Sequence, residues 1–195
     1  MATINQHTHA PVGTAGQEVP RPAPGHGGQL MAARLTSEQV WHALGKASFA
    51  VLGYVTPSGE PRSSGVVYKS IGRRLYVAVA SDSWKARHIA ATRRVAVTVP
   101  VRRGGLLSLV APIPPATISF HAQTIVHPAG APQVGSLLKE LGSLLPVERR
   151  TSACLIEILP EGAFVTYGLG VSLSKLRDPA AARARIPVTH EARTR

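Results

Sequence analysis

The stretch Leu75–Pro100 constrains the fold more than any other part of this 195-residue chain. It reads LYVAVASDSWKARHIAATRRVAVTVP, with Val-rich alternation at both ends and a polar turn followed by basic residues between them. Val-rich alternation is typical of strands, and the basic segment after the turn is interpreted as the start of a helix. The pattern therefore predicts a strand, a short helix that begins near Ser83, and a second strand.

The start of this helix has the composition of an anion-binding site. The first N–H groups of a helix have no intrahelical partners, and the helix dipole is positive at that end. Ser83, Lys85 and Arg87 place a hydroxyl and two cations there, which are donors that a phosphate accepts. The alternative is a solvated helix with basic residues near its start, and the residues alone leave it open.

The segments before this helix predict antiparallel strands. Residues 49–56 and 61–70 flank a Pro-Ser-Gly turn, and a second Gly turn leads into residues 74–80. With SWKARHI and RRVAVTV, this order resembles the pyridoxamine 5'-phosphate oxidase-like, FMN-binding split β-barrel superfamily over most of the chain. The resemblance implies a mainly β fold with flanking helices, a six-stranded antiparallel split barrel.

The resemblance also implies a cofactor, either FMN or the deazaflavin coenzyme F-420. Its binding residues are carried over onto the second strand, the end of the third strand and the helix start: Ser64, Val66, Lys69, Ala80, Ser81, Ser83, Trp84, Lys85 and Arg87. Val66 is implied to act through its backbone beside the isoalloxazine ring. Trp84 either covers a ring face or lies at a dimer contact.

The chain departs from the oxidases of this superfamily at several positions. Ser64 and Trp84 stand where those enzymes have basic residues, and His88 stands where Asn is common. Their substrate-binding Arg and His have no clear counterpart after Gly168. Pyridoxamine phosphate is therefore not the expected substrate.

The implied activity is hydride transfer between the cofactor and a small organic substrate, in a homodimer with the cofactor at the subunit interface. A flavin or deazaflavin carries the hydride itself, so the protein mainly binds, orients and excludes water. The sequence shows no carboxylate pair and no nucleophile motif, and no catalytic residue is assigned. A non-enzymatic cofactor carrier or haem-binding protein on the same barrel is the alternative, with His121 or His127 as a single haem ligand.

Charge and composition limit the other classes of function. The formal net charge of +12 raises the question of a nucleic-acid partner, but the basic residues are scattered over strand ends and turns without a nucleic-acid-binding signature. His121 and His127 are separated by about 20 Å along a strand, too far to share a metal ion. Cys154, the single cysteine, lies in an apolar run and is expected to be buried. Neither a metal nor a nucleic acid is predicted as a partner.

Composition divides the chain into three parts. Residues 1–32 are rich in Pro and Gly and predict a disordered tail, residues 33–173 the barrel, and residues 174–195 an Ala/Arg-rich tail. The chain has no signal-peptide pattern and no run of about 18 apolar residues. We therefore expect a cytoplasmic protein without membrane contact.

Patterning predicts the remaining elements. A capping signal at Thr36 begins a short helix, and the apolar strand from Phe49 is expected to be covered on both faces. The rest of the chain predicts an apolar loop at 103–115, a half-exposed strand at 116–127, an amphipathic helix at 134–145, and a hairpin of strands 153–159 and 162–167.

Overall fold

The structure is a computed structural model that describes residues 35–103, 113–140 and 152–189. The elements of these residues, with a short 3-10 helix at Leu173–Arg177, are α1 (Ser37–Lys46), β1 (Phe49–Val55), β2 (Pro61–Val67), β3 (Lys69–Ile71), β4 (Arg74–Ala80), α2 (Trp84–Thr92), β5 (Arg94–Val101), β6 (Ala116–His127), α3 (Pro132–Glu140), β7 (Ala153–Tyr167), α4 (Pro179–Ala182) and β8 (Arg183–Pro187). No helix in this part of the chain is long and apolar enough to cross a membrane.

The strands form one antiparallel sheet in the order β2-β1-β5-β6-β7-β4-β3, with β8 paired to β7. The 15-residue β7 organises the sheet, because it pairs with β6, with β4 at its start and with β8 at its end. The mainly β, antiparallel prediction is confirmed. The strand count differs, since the short strands β3 and β8 bring the described sheet to eight strands instead of six.

The core lies between the inward faces of these strands and α1. Phe164 of β7 is fully buried, and Trp41 and Phe120 both meet its ring edge-on at 5.3 Å between centroids. Edge-to-face aromatic pairs stabilise a core beyond the area that they bury. The capping signal of α1 is confirmed, because the Thr36 hydroxyl accepts from Gln39 N and the Gln39 side chain accepts from Thr36 N.

The predicted hairpin at 153–167 is wrong. The chain passes through Pro160, Glu161 and Gly162 without reversing and forms the continuous strand β7. Gly162 has a positive φ of 67°, and the pairing with β6 shifts register between Ser119 and His121. A glycine in this conformation produces a bulge that bends a strand, and the two neighbouring strands hold it in the sheet.

Strand β1 is covered on one face only within the described chain, whereas the sequence predicted both. Ala50 and Leu52 are buried, but Phe49, Val51 and Val55 are 46%, 37% and 44% exposed. Such alternation is typical of an antiparallel strand with one face on the core. The outward face is nevertheless apolar along this strand.

The chain beyond β7 remains part of the sheet. The sequence predicted a frayed tail after Asp178, but β8 pairs with β7 from Arg183 to Pro187, and Ile186 is buried in the core. The predicted tail at 1–32, most of the apolar loop at 103–115 and the second half of the helix predicted at 134–145 lie outside the described residues.

Candidate functional site

The turn between β4 and α2 contains the predicted anion site. Ser83 N donates to Ala80 O at 3.1 Å, and Ser83 Oγ accepts from Ala86 N at 3.2 Å, which makes Ser83 the N-cap of α2. Ser81 N donates to Ser152 O at 3.1 Å and ties the turn to the start of β7. The helix therefore begins beside the paired ends of β4 and β7.

A cavity of about 300 Å³ lies at this turn. Its lining includes Val79, Ala80, Ser83, Lys85, Ser152 and Ala153. Lys85 is half-buried, and burial lowers its pKa because the charged form loses water. No acidic side chain among the described residues lines the cavity or pairs with Lys85. A partly desolvated ammonium without a counter-charge favours an anionic ligand.

An aromatic surface lies next to this cavity on α2. Trp84 is 69% exposed, and the Arg87 guanidinium lies 4.1 Å from the centroid of its ring. Arg87 also donates to Asp82 O at 3.4 Å. The exposed Trp84 ring therefore offers a flat surface, and the cationic Arg87 side chain lies over it near the start of the helix.

His88 and Tyr54, two residues absent from the predicted set, connect α2 to β2. The Tyr54 and His88 rings are 6.2 Å apart, and the Tyr54 hydroxyl and Ser64 Oγ share a hydrogen bond at 3.3 Å. Nδ1 of His88 is buried without a hydrogen-bond partner in the part of the chain that is described. Two patterns would have found these residues: the i, i+4 spacing of Trp84 and His88 on one helix face, and the inward alternation of β1.

The structure brings together most of the predicted residues. Those on the turn and α2 or at the end of β4 are Ala80, Ser81, Ser83, Trp84, Lys85 and Arg87. Ser64 on β2 reaches this group through Tyr54 and His88. Lys69 lies apart, since it begins β3 and pairs with Tyr76, four residues before Ala80.

The predicted role of Val66 depends on its backbone, because its side chain is buried in the barrel core. Strand β2 stands at one end of the strand order and pairs with β1 alone among the described strands. Its peptide groups on the far side therefore have no strand partner there. The resemblance implies that the cofactor contacts the backbone of this edge near Val66.

A separate charged cluster joins β4, β6 and β7. Glu157 is 5% exposed and accepts hydrogen bonds from Arg74 and from His127 Nε2, the latter at 2.7 Å. The bond with Glu157 raises the pKa of Arg74. His127 is thus occupied by a carboxylate, while His121 is exposed with its ring against Gly162. No three His, Cys, Asp or Glu side chains of the described residues are arranged to hold a metal ion.

Solved structures with the same fold include an FMN-binding protein and two haem proteins. The pyridoxamine 5'-phosphate oxidase-related, FMN-binding protein from Nostoc punctiforme has a TM-score of 0.50 at 12% identity, over 76% of this chain and 84% of that chain. The heme binding protein from Mycobacterium smegmatis has a TM-score of 0.57 at 13% identity, over 87% and 60%. HutZ from Vibrio cholerae, a heme storage protein, has a TM-score of 0.53 at 14% identity, over 68% and 95%. No protein-family model and no curated protein matches the chain.

The chain therefore has the pyridoxamine 5'-phosphate oxidase-like split β-barrel fold, which confirms the fold implied by SWKARHI and RRVAVTV. Proteins with different ligands share this fold. The fold alone does not select the ligand, so the choice depends on the residues of the site.

Proposed function

We propose that this protein is an oxidoreductase that binds FMN or the deazaflavin coenzyme F-420 and transfers hydride to or from a small organic substrate. The observation that carries the proposal is the cavity at the start of α2, where the half-buried Lys85 has no acidic partner among the described residues. Both cofactors contain a phosphate, and a helix N-terminus with a lysine beside it suits that group. The FMN-binding protein from Nostoc punctiforme, which shares the fold, supports the same choice.

The dimensions of the site fit the phosphate end of such a cofactor. A volume of about 300 Å³ is at the lower limit for small-molecule pockets, so the three-ring system needs a surface outside this cavity. Exposed Trp84 and the edge of β2 that has no partner among the described strands are the surfaces proposed for it. The Ser83 hydroxyl accepts from Ala86 N and retains its own proton for a phosphate oxygen.

The cofactor supplies the ring that accepts or gives the hydride when it is bound. The chain contributes binding and orientation. Lys85 holds the phosphate by charge, Ser81 and Ser83 add neutral donors, and the β2 backbone near Val66 orients the ring. This division of roles does not require a pair of carboxylates for acid and base catalysis.

We also propose that the chain forms a homodimer through the outward face of its sheet. A continuous row of small or apolar residues crosses five strands on that face: Gly65, Val51, Thr98, Ser119 and Val165. Thr98 and Ser119 satisfy each other by a hydrogen bond at 3.1 Å, so the row presents few polar groups in need of water. A second copy on this face would cover Val51 and Val55 of β1, which a single chain leaves exposed.

Sedimentation of the purified protein tests the dimer. We expect twice the chain mass of 20.5 kDa for the wild type and monomers for Val51→Arg, which places a charge within the row. Leu173→Arg is the control, because Leu173 is 51% exposed but lies outside the row. A Val51→Arg protein that stays dimeric would reject this face as the interface.

Titration of FMN against Lys85→Ala tests the phosphate site. Loss of a hydrogen bond to a charged group is expected to weaken binding by about 1.5 to 3 kcal/mol. Lys85→Arg retains the charge and should recover part of the affinity, and Lys175→Ala removes an exposed lysine from the 3-10 helix as a control. An unchanged affinity for Lys85→Ala would reject the assigned site.

Haem binding without catalysis is the second candidate, because two haem proteins share this fold at TM-scores of 0.57 and 0.53. The exposed His121 is the ligand that this candidate would use, since Glu157 occupies His127. A Soret band on titration with haem, lost in His121→Ala, would favour it. Turnover of a reduced cofactor would favour the oxidoreductase.

A further inference from the structure

A larger cleft lies away from α2, between α1 and the adjacent ends of β1, β5 and β7. Its volume is about 1090 Å³, and its apolar walls include Leu35, Ala43, Ala47, Phe49, Val101 and Leu169. Strand β7 runs from Ala153 at the first cavity to Tyr167, just before the residues that line this cleft. The two sites are therefore at opposite ends of β7.

Three basic side chains line the cleft, and no acidic side chain of the described residues does. His42 and Lys46 are four residues apart on α1 and share one helix face, and Arg102 follows the end of β5. None of the three has an ion-pair partner within residues 35–103, 113–140 and 152–189. The helix dipole stabilises the positive charge of Lys46 in the last turn of α1. Arg102 is not on this helix, so the dipole does not explain its position at the cleft.

Arg103 adds a positive charge behind one wall of this cleft. Its guanidinium contacts Gly168, where a Cβ would lie 2.9 Å from Nη1, and it donates to Val171 O. Nη1 is buried and has no hydrogen-bond partner among the described residues. Leu169, adjacent in sequence, lines the cleft. Arg103 therefore adds to the positive charge of the three basic side chains that line the cleft.

Phe49 provides a flat apolar surface in the same cleft. It is 46% exposed, although an aromatic side chain of this size is usually covered. Its ring lies against Gly65, where a Cβ would come within 3.0 Å of Cε2 and Cζ. The glycine leaves the space that the ring occupies, and the ring in turn forms part of the lining.

We propose that this cleft binds an organic anion, a molecule with a flat or elongated apolar body and a carboxylate or phosphate group. Phe49 and the apolar walls would contact the body, while Lys46 and Arg102, assisted by His42, would bind the acidic group. An inorganic anion would leave most of a cleft of about 1090 Å³ unfilled. The proposal does not rest on the cofactor site, because it uses other residues at the other end of β7.

Two fluorescent probes that differ by one charged group test the proposal. 8-Anilinonaphthalene-1-sulfonate carries an anionic group on an aromatic body, and N-phenyl-1-naphthylamine is the same body without the charge. We expect the wild-type protein to bind the sulfonate about tenfold more tightly than the amine. The double variant Lys46→Gln/Arg102→Gln should lose this preference and bind the uncharged amine as the wild type does.

The controls separate charge from folding and from the cofactor site. Lys175→Gln removes an exposed lysine elsewhere and should bind both probes like the wild type. Phe49→Leu should weaken both probes together and leave their ratio unchanged, because it alters the apolar contact alone. FMN affinity should be the same for the double variant and the wild type, whether FMN binds tightly or not at all.

Equal affinity of the wild type for the two probes would overturn the proposal. So would a double variant that still prefers the sulfonate by the wild-type ratio. A double variant that loses both probes equally would show that the cations support the shape of the cleft and do not recognise an anion, and this too would reject the inference.

Discussion

Neutralising Glu157 should destabilise the fold more than neutralising any exposed carboxylate of the described chain. The carboxylate accepts from Arg74 on β4 and from His127 on β6 while it is itself 5% exposed, so it links three strands. Removing one member of a fully buried ion pair costs about 3 to 5 kcal/mol. The side chain of Arg74 is 38% exposed, and solvent screening reduces that cost.

Two substitutions separate charge from hydrogen bonding at this position. Glu157→Gln keeps an oxygen that accepts from Arg74 and an amide group beside His127, so we expect a loss of about 1 to 2 kcal/mol in the free energy of unfolding. Glu157→Ala removes the acceptor from both partners and should cost about 3 kcal/mol, while Arg74 keeps Tyr76 and water as partners. The control is Glu60→Gln, because Glu60 pairs with Arg62 at 2.7 Å on the surface, where such pairs contribute about 0 to 1 kcal/mol.

Urea unfolding with a common slope is the assay for these variants. The expected order of stability is wild type, Glu60→Gln, Glu157→Gln and Glu157→Ala. The reasoning would be refuted by a Glu157→Ala protein as stable as Glu157→Gln, since loss of the shared acceptor would then have no measurable cost. It would also be refuted if Glu60→Gln were the more damaging neutralisation.

Three further predictions concern single residues. Cys154 is 3% exposed and burial raises the pKa of its thiol, so a thiol reagent should label it at the rate of unfolding, and rapid labelling of the native protein would contradict this. Burial lowers the pKa of Lys85 from its ordinary value of 10.5, so the affinity for FMN should already fall as pH rises below 10.5. The FMN affinity of Lys85→Arg, the control, should not change over that pH range. Phe164→Ala should cost about 3 to 5 kcal/mol in urea unfolding, because Phe164 is fully buried between Trp41 and Phe120, and a loss below 1 kcal/mol would contradict the described core.

The sign for Lys85 follows from its lowered pKa. Below that pKa the folded protein carries a partly buried ammonium, which has a desolvation cost, so the fold gains stability as pH rises through it. Phosphate binding requires the same ammonium and therefore weakens over that range. Cofactor affinity and stability should thus change in opposite directions at alkaline pH.

The sequence predicted the starts of α1 and α2, because neighbouring residues determine where a helix begins. The capping box at Thr36 needs only a few neighbouring residues, as does the helix start after the turn at residues 81–83, and both appear as the sequence indicated. Gly162 shows the limit of such signals, because a glycine with positive φ suits a turn and a bulge equally. The pairing of β7 with β6 and β8 favours the bulge over the turn. A local sequence pattern does not predict this, because these strands pair across distant parts of the chain.

The candidate site was predictable where it is contiguous in sequence. Ser83 and Lys85 lie on one turn and one helix start and both line the cavity, whereas Arg87 lies over the Trp84 ring and donates to Asp82 O. Ser152 joins the cavity because Ala80 pairs with Ala153, a contact across more than seventy residues. Lys69 follows the family pattern in sequence, yet the register of β3 on β4 places it four residues before Ala80.

Equilibrium titration of the purified protein with FMN and with coenzyme F-420, preceded by its absorbance spectrum, tests the central claim most directly. The account predicts micromolar or tighter binding of one of the two cofactors, weakened in Lys85→Ala and unchanged in Lys175→Ala. Binding of neither cofactor, or binding that Lys85→Ala leaves intact, would contradict the assignment of the cavity at the start of α2 as a cofactor phosphate site.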